Sequence, residues 1–354
     1  MQNKKVLIVQ RVVAHYRKPF FNKLSEVSNL TVVSGKSMGT EDVIEEGKSN
    51  YSNIILKVNY YLNSSFWWHS GILKALKKEK PDVVIISPTP RCLTNFIIAI
   101  YCKLKNIKLI GWGLGQIPGR TSAENLLHSI AQKTIIIFLN SLITYSTKAH
   151  NYYKNLGFNG KIYTAFNAVC TKNFLPKTEL ICRPGLKIVY VGRVTPEKRL
   201  DELIKIVMRN KNFYLTVIGP NSNHLAEKFS SKEIKERISF LDFLADQALN
   251  KELIKNDIFV LPSRGGLAIN HAMASGLPVI VSEGDGTELD LIDHGIEGFL
   301  FKNEDWESLE KILCKASKDK KLLEKMGKNA TSKIKGQFTI DEMCKIFMKA
   351  INQE

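Results

Sequence analysis

One stretch of the chain, residues 259–280, restricts the possible folds more than any other. It contains an apolar run ending at Pro262 and Ser263, a glycine pair, a run of small residues, a break at Gly276 and a second apolar run. Short apolar runs separated by a glycine turn and a helical segment are typical of buried strands in a parallel sheet. The stretch therefore predicts strand, glycine loop, helix and strand, with backbone N–H groups of the loop available to an anion.

A second segment, residues 188–199, places two cations beside a turn. Its sequence, IVYVGRVTPEKR, predicts a strand that runs into the beginning of a helix, with Arg193 and Lys198 next to the turn. A guanidinium binds phosphate through paired hydrogen bonds and an ammonium acts as a point charge, so the pair can hold a diphosphate. The alternative is an ordinary helix beginning whose cations are only solvated.

Together these segments resemble the carboxyl-terminal half of the GT-B glycosyltransferases of family 4, the glycosyl transferases group 1 type. The resemblance implies an α/β fold of two Rossmann-like domains facing across a cleft, with ligands at the carboxyl ends of the strands. The matching pieces occur in the family's order and at compatible spacing: Gly192-Arg193 with Lys198, Leu261-Pro262-Ser263, Gly266-Leu267, Ala272-Met273-Ala274 and Gly276-Leu277-Pro278-Val279.

The length of 354 residues suits two domains. We predict an N-terminal acceptor-binding domain over 1–170, a linker over 171–186, a nucleotide-sugar-binding domain over 187–337 and a final helix over 338–354. In the resembled fold, that helix packs back on the first domain. Alternating apolar and helical patterns predict strands near 6–10, 30–33, 83–87, 109–112, 142–145, 187–192, 213–218, 237–241, 258–262 and 278–282, with helices between them.

The resemblance also assigns candidate donor-site residues. Arg193 and Lys198 would neutralise the departing nucleoside diphosphate, and we treat both as candidate catalytic residues. The loop formed by Arg264, Gly265, Gly266 and Leu267 would contact the donor through its backbone; the alternative is a plain strand-to-helix turn.

At two positions of this region the chain departs from its relatives. Most of them carry two glutamates eight positions apart, where this chain has Ser263 and His271. His271 can hydrogen-bond a ribose hydroxyl, or it can be a satisfied histidine on a buried helix face. Downstream, Glu288 in the EGDGTE segment is a candidate for binding sugar hydroxyls or ribose, with simple helix capping as the alternative.

The acceptor half offers fewer candidates. His15 follows the first strand and could accept a proton, and Arg17 could bind a phosphate of the acceptor. Trp112, in a glycine-rich segment after another strand, is predicted to line the same site. A structural role is the alternative for each of them.

Charge is unevenly distributed along the chain. The net charge is +17, and residues 1–170 hold 22 Lys and Arg against 8 Asp and Glu. No nucleic-acid-binding motif accompanies this excess, so we expect no nucleic-acid partner and favour an anionic membrane surface; a generally basic composition is the alternative. Six scattered cysteines without a CxxC pair, no signal-peptide pattern and apolar runs too short to span a bilayer predict a cytoplasmic protein, peripheral on the inner face of the membrane.

These observations predict a hexosyltransferase of cell-surface polysaccharide synthesis. It would use a nucleotide-sugar donor and a glycan or lipid-linked glycan acceptor, with retention of configuration expected from the family and with no metal or cofactor. Two alternatives stay open: a non-catalytic GT-B subunit that binds or scaffolds a glycan-assembly complex, and a sugar-nucleotide epimerase.

Overall fold

A computed structural model describes residues 3–36, 49–115, 122–177, 184–220, 222–229, 231–263 and 265–354. These residues form two compact units, residues 1–170 with 340–354 and residues 171–339. The strands are β1 (Lys5–Val9), β2 (Asn29–Gly35), β3 (Ser52–Leu56), β4 (Val58–Tyr61), β5 (Phe66–His69), β6 (Val83–Ile86), β7 (Lys108–Gly113), β8 (Ser141–Thr144), β9 (Lys161–Thr164), β10 (Leu186–Val191), β11 (Phe213–Ile218), β12 (Ile238–Leu241), β13 (Ile258–Leu261), β14 (Val279–Ser282) and β15 (Gly298–Phe301). The α-helices are α1 (Lys18–Ser25), α2 (Ile72–Glu79), α3 (Thr94–Leu104), α4 (Ser122–Ile136), α5 (Thr147–Asn155), α6 (Leu200–Arg209), α7 (Ser222–Lys228), α8 (Lys232–Arg237), α9 (Asp246–Leu253), α10 (Ala268–Ala274), α11 (Thr287–Leu291), α12 (Trp306–Lys318), α13 (Lys320–Gln337) and α14 (Ile340–Asn352).

The first unit is built on a seven-stranded parallel sheet. Its strand order is β3-β2-β1-β6-β7-β8-β9, and β4 and β5 form a separate antiparallel pair. Alternate residues of β1 enter different cores: Val6 and Ile8 pack with α1 and α14, whereas Leu7 and Val9 pack with α2, α3 and α4. Helices therefore cover both faces of the sheet, which explains why its central strands are continuous apolar runs.

The second unit is built on a six-stranded parallel sheet of order β12-β11-β10-β13-β14-β15. In chain order this is the 3-2-1-4-5-6 arrangement of a Rossmann fold, in which the topological switch point lies between β10 and β13. The predicted α/β class is thus confirmed. Five strands lie outside the predicted set: β3, β9 and β15 are at sheet edges, and β4 and β5 form the separate antiparallel pair.

The last helix, α14, packs on the first unit. The ring of Phe347 lies 4.7 Å from that of Phe20 and 4.9 Å from that of Trp112, measured between centroids. At the end of this helix, Lys108 donates to the carbonyl of Ala350 at 2.6 Å, and Lys4 donates to that of Ile351 at 3.1 Å. Cations at a helix C-terminus are favourable because they meet the unpaired carbonyl groups.

The segment predicted as a linker begins inside the second unit. Phe174 is buried, and Leu175 exchanges two hydrogen bonds with the side chain of Asn250. Lys177 pairs with Asp257 at 3.3 Å. Residues 171–177 therefore belong to the packed body of this unit, and residues 178–183 lie outside the described residues.

Two features are absent from the part of the chain that the structure describes. None of its helices combines the length and the apolar character needed to cross a membrane. No group of three or more His, Cys, Asp or Glu residues in this part is arranged to hold a metal ion.

A pair of glycines on α13 tests how this helix packs on α10. A Cβ atom on Gly327 would lie 2.1 Å from the carbonyl oxygen of Gly276, whereas a Cβ on Gly336 would meet nothing within 4 Å. We expect Gly327→Ala to lower the free energy of unfolding by about 2 kcal/mol, because α13 must move away from the Gly276 backbone that follows α10. The matched control Gly336→Ala should raise it by about 0.5 kcal/mol through helix propensity. Urea denaturation measures both, and equal effects would contradict the observed packing.

Candidate functional site

The glycine loop lies at the switch point of the second sheet. Strand β13 ends at Leu261, Gly265 and Gly266 follow, and α10 begins at Ala268. Arg264, which we included in this loop, lies outside the described residues. Since β10 pairs with β13 in parallel register, the residues after the two strands emerge at the same edge of the sheet. This edge is where open α/β sheets bind ligands.

The fold itself does not require glycine at either loop position. A Cβ on Gly265 would make only ordinary contacts, 3.5 Å from Thr287 Oγ1 and 3.8 Å from Glu288 Oε2, and a Cβ on Gly266 would meet nothing within 4 Å. By contrast, a Cβ on Gly219 would lie 2.0 Å from the Gly192 carbonyl oxygen. The glycines of the loop leave its backbone uncovered, which favours close approach of a ligand.

Arg193 follows β10 at the same edge. Its side chain is exposed, and its carbonyl accepts a hydrogen bond of 2.9 Å from the hydroxyl of Tyr190. Within the described residues it forms no close ion pair, although its charge adds to the Thr195 hydrogen bonding that lowers the pKa of Glu197. The guanidinium therefore stays available to an anion while the Tyr190 contact holds its backbone.

A short 3-10 helix, Pro196–Lys198, follows Arg193 and has Lys198 as its last residue. Lys198 is half-buried at its end. The pKa of Glu197 is lowered by hydrogen bonding from the Thr195 side chain and the backbone, with Arg193 and Lys198 contributing through their charge. The turn thus carries two cations and one carboxylate that stays ionised.

Arg199 anchors the end of this turn. Its backbone is in the left-handed region with φ 52°, and its guanidinium donates to Glu304 at 2.9 Å and lies 5.3 Å from the Trp306 ring centroid. This ion pair connects the turn after β10 with the segment after β15. Arg199 therefore positions the turn on which Arg193 and Lys198 lie.

Glu288 is fully buried at the beginning of α11 and bonds back to its own loop. Its Oε1 accepts from the backbone N–H groups of Gly284 at 2.7 Å and Gly286 at 3.1 Å, and its Oε2 accepts from Gly286 at 3.0 Å. Burial raises the pKa of this carboxyl, and the N–H groups oppose that shift. Glu288 was predicted to bind sugar or ribose, and the structure instead shows it holding the loop that borders Gly265.

His271 and Leu267 lie on the other side of the glycine loop. Leu267 is half-buried immediately before α10. The half-buried His271 ring stacks on Phe174 with a centroid distance of 4.8 Å and an interplanar angle of 9°. One face of the imidazole is thus covered by an aromatic ring from the segment that precedes the sheet.

Ser263 lies at the same edge of the sheet and is absent from the predicted set of site residues. It is 4% exposed, and its hydroxyl has no hydrogen-bond partner in the described structure. Buried hydroxyls are rarely left unsatisfied, so this one is a candidate ligand contact. The available signal was its position directly after a central strand and next to the glycine pair.

The first unit carries Arg17 at the end of a 3-10 helix, His15–Arg17, after β1. Arg17 is 8% exposed and donates to Asn167 Oδ1 at 2.7 Å. Its guanidinium lies 4.5 Å from the Trp112 ring centroid and 5.2 Å from that of Tyr145. Among the described residues no carboxylate pairs with it, so aromatic faces and one amide oxygen surround a buried cation. His15 is exposed at the start of the same 3-10 helix.

The structure corrects the prediction for Trp112. This residue lies within β7, is 1% exposed and packs against Phe20, Tyr145 and Phe347. A side chain so completely buried in the core supports Arg17 and does not line an open site.

Comparisons with known proteins bear on both units. Residues 173–333 match the family model described as glycosyl transferases group 1. The chain is 29% identical over 147 residues to the amylovoran biosynthesis glycosyltransferase AmsK of Erwinia amylovora, covering 37% of this chain and 36% of AmsK. It is 30% identical over 151 residues to the sulfoquinovosyl transferase SQD2 of Arabidopsis thaliana, covering 40% and 29%. The matches span about a third of each relative's length.

Solved structures resemble the whole chain. HepE of Anabaena in complex with UDP superposes with a TM-score of 0.77 at 15% identity, covering 100% of both chains. Sucrose-phosphate synthase of Thermosynechococcus elongatus gives a TM-score of 0.77 at 15% identity, covering 100% of this chain and 99% of the other. Likeness at this identity shows the fold, which is GT-B.

The role of Glu288 in holding its loop is testable. Glu288→Gln places an amide group against the N–H of Gly286, so we expect the free energy of unfolding to fall by about 1–3 kcal/mol. The matched control is Glu283→Gln, exposed in the same loop, which should change it by less than about 0.5 kcal/mol.

The same variants predict a pH dependence. Because the pKa of Glu288 is raised in the folded chain, its charged form costs stability, and protonation removes that cost. The wild-type protein should therefore gain stability relative to Glu288→Gln as the pH is lowered through the raised pKa. Urea denaturation at neutral and mildly acidic pH measures the difference, and a constant difference would contradict the raised pKa of this carboxyl.

Proposed function

Because residues 173–333 belong to the glycosyl transferases group 1 family, we propose that this chain is a glycosyltransferase. It moves a hexose-type sugar from a nucleotide-diphosphate donor to a glycan or lipid-linked glycan, with retention of configuration, in cell-surface polysaccharide synthesis. The observation that carries this proposal is the exposed Arg193, which forms no ion pair among the described residues and lies at the sheet edge that also bears the glycine loop.

The donor diphosphate binds at this edge. Arg193 donates paired hydrogen bonds to one phosphate, Lys198 adds a point charge, and N–H groups near Gly265 and Gly266 approach the donor without side-chain obstruction. As the bond to the sugar breaks, negative charge grows on the leaving phosphate, and the two cations stabilise it. We propose that this neutralisation needs no metal ion.

The donor sugar and ribose bind beside the loop. The unsatisfied hydroxyl of Ser263 offers a hydrogen bond to a sugar hydroxyl, and His271 offers a ring nitrogen to the ribose. Glu288 acts indirectly, because its carboxylate fixes the backbone of Gly284 and Gly286.

The acceptor binds to the first unit. His15 is exposed after β1 and serves as the proton acceptor for the attacking hydroxyl. Arg17, held by Asn167 and by the Trp112 and Tyr145 rings, binds an anionic group of the acceptor. The protein works in the cytoplasm, with an anionic membrane surface as a further partner.

A non-catalytic GT-B binding subunit is the second candidate. It is favoured by Ser263 and His271, which stand where the resemblance implies glutamates, and by the complete burial of Glu288. This candidate binds a nucleotide or a glycan without turnover. A sugar-nucleotide epimerase, the third possibility, would interconvert a free donor without any acceptor.

Donor binding is tested first. We expect one of UDP, GDP and dTDP to bind with a dissociation constant of about 1 μM by calorimetry; UDP is the first choice because HepE was solved with it. Arg193→Ala/Lys198→Ala should weaken binding by at least about 100-fold, because each charge-assisted contact contributes about 1.5–3 kcal/mol. The matched control Lys205→Ala/Arg209→Ala removes two cations that pair with Glu202 and Glu310 on the surface, and it should bind as the wild-type protein does. Failure of every nucleotide to bind the folded protein would refute the proposal.

Turnover separates the three candidates. With the identified nucleotide sugar and a lipid-linked glycan extract, the transferase should release nucleoside diphosphate only when an acceptor is present, and chelation by EDTA should leave the rate unchanged. Release should fall by at least about tenfold in Arg193→Ala, since one charge-assisted contact to the leaving group is lost. Binding without release would favour the scaffold, and conversion of the free sugar nucleotide would favour the epimerase.

A further inference from the structure

Two neighbouring helices of the first unit, α3 and α4, expose a row of large aliphatic side chains. On α3 the exposed residues are spaced four, three and four apart, so they lie on one face of the helix. On and beside α4, Leu126, Ile130 and Ile137 are four and seven positions apart, which also places them on one face, and Leu127 lies next to Leu126. The exposed fractions run from 41% to 79%, for Leu93, Ile97, Ile100 and Leu104 on or beside α3 and Leu126, Leu127, Ile130 and Ile137 on or beside α4. We call these eight residues the α3–α4 face.

The two rows lie on the same side of the sheet. The opposite sides of both helices enter one core, through Ile98 and Cys102 of α3 and through Ile135 of α4. The ends of the helices are close together, because Lys103 Nζ lies 5.9 Å from the ring centroid of Phe138. The eight aliphatic residues therefore point away from the sheet on the same layer of helices. A contiguous group of eight exposed aliphatic side chains is typical of a surface that binds a partner or a membrane.

The charges around the α3–α4 face are almost all positive. Residues 72–137 contain ten Lys and Arg and three Asp and Glu, and α3 itself contains no acidic residue. Lys103, Lys105 and Lys133 are exposed beside Leu104 and Ile137. Helix α2, which packs beside α3 in the same core, adds exposed lysines at Lys74, Lys77 and Lys78.

This combination identifies the chemistry of the partner. Aliphatic side chains with lysines beside them complement a surface that is anionic outside and apolar just beneath, which describes a bilayer containing anionic lipids. Each lysine near such a surface contributes about 1 kcal/mol. A second copy of the chain would bring the same cluster of lysines to the interface, where like charges repel.

We propose that the α3–α4 face docks this protein on an anionic lipid bilayer. The aliphatic residues enter the boundary between headgroups and acyl chains, and the lysines of α2, α3 and α4 bind lipid phosphates. The proposal rests on the membrane partner named in the proposed function, but it is independent of the donor site, whose residues lie in the second unit.

The test is co-sedimentation with lipid vesicles. The wild-type protein should bind phosphatidylcholine vesicles that contain about 30 mol% phosphatidylglycerol, and it should bind pure phosphatidylcholine at least about tenfold more weakly. Ile100→Asp and Ile130→Asp should each weaken binding to the anionic vesicles by about tenfold or more. The matched control is Ile296→Asp in the second unit, because Ile296 is 50% exposed whereas Ile100 and Ile130 are 54% and 55% exposed; it should bind vesicles as the wild-type protein does.

A charge variant tests the other half of the proposal. Lys103→Glu/Lys133→Glu should bind the anionic vesicles at least about tenfold more weakly while keeping the wild-type melting temperature, since both side chains are exposed. Nucleotide binding by calorimetry should be unchanged in all these variants, so failure at the membrane is distinguishable from failure of the donor site.

Three results would overturn the proposal. The first is absence of vesicle binding by the wild-type protein, and the second is an equal loss of binding in Ile296→Asp and Ile100→Asp. The third is a wild-type dimer, measured by light scattering, that Ile100→Asp converts to a monomer, because the α3–α4 face would then be an interface between copies.

Discussion

The order of the parallel strands determines where chemistry can take place in each unit. In the second unit β10 lies between β11 and β13, so the connections after β10 and β13 diverge and leave an opening at their carboxyl ends. The backbone at this edge is packed closely enough that Gly219 has no room for a side chain against the Gly192 carbonyl. The first unit repeats the arrangement with β1 between β2 and β6, which places Arg17 at the equivalent edge. The candidate residues therefore follow from topology, although their sequence positions are far apart.

Two buried ionisable groups, Glu288 and Arg17, fix the loops at these sheet edges. Neither of them pairs with an opposite charge among the described residues. The Glu288 carboxylate is bound by backbone N–H groups, and the Arg17 guanidinium by the Asn167 oxygen and the faces of Trp112 and Tyr145. Removing a charge from water is costly unless dipoles or hydrogen bonds replace the solvent. Dipoles and rings supply part of that replacement here, although burial still raises the pKa of Glu288. Each charge fixes a loop without an opposite charge beside it in the described structure. Glu288 therefore sets the geometry of its edge without touching a ligand, whereas Arg17 is held in place at the edge where the acceptor is proposed to bind.

The sequence predicted the parts of the fold that are buried on both sides. Central strands such as β13 and β14 are continuous apolar runs between turn signals, whereas edge strand β3 is mostly exposed and lacks this pattern. Trp112 was assigned to a ligand site because glycines flank it. Those glycines meet a packing need, since a Cβ on Gly111 would lie 2.6 Å from the Leu142 side chain. The rings of Phe174 and His271 stack although the residues are about a hundred positions apart. Local sequence periodicity cannot predict a contact between such distant residues.

The proposed donor site lies at the edge of the second sheet, after β10 and β13. The charges at this edge suit a reaction in which the leaving group carries the negative charge. A positively charged sugar in the transition state needs a nearby anion, and Ser263 and His271 supply none. The Glu288 carboxylate is buried and bound by N–H groups, which weakens the field it projects. In the proposed reaction, the departing diphosphate is itself an anion in contact with the sugar. Arg193 and Lys198, in the same proposal, hold that diphosphate next to the sugar as well as neutralise it, because a phosphate stabilises a cationic sugar only while the two stay in contact. The protein of the proposed reaction therefore acts on the sugar mainly through the phosphate that these two cations position.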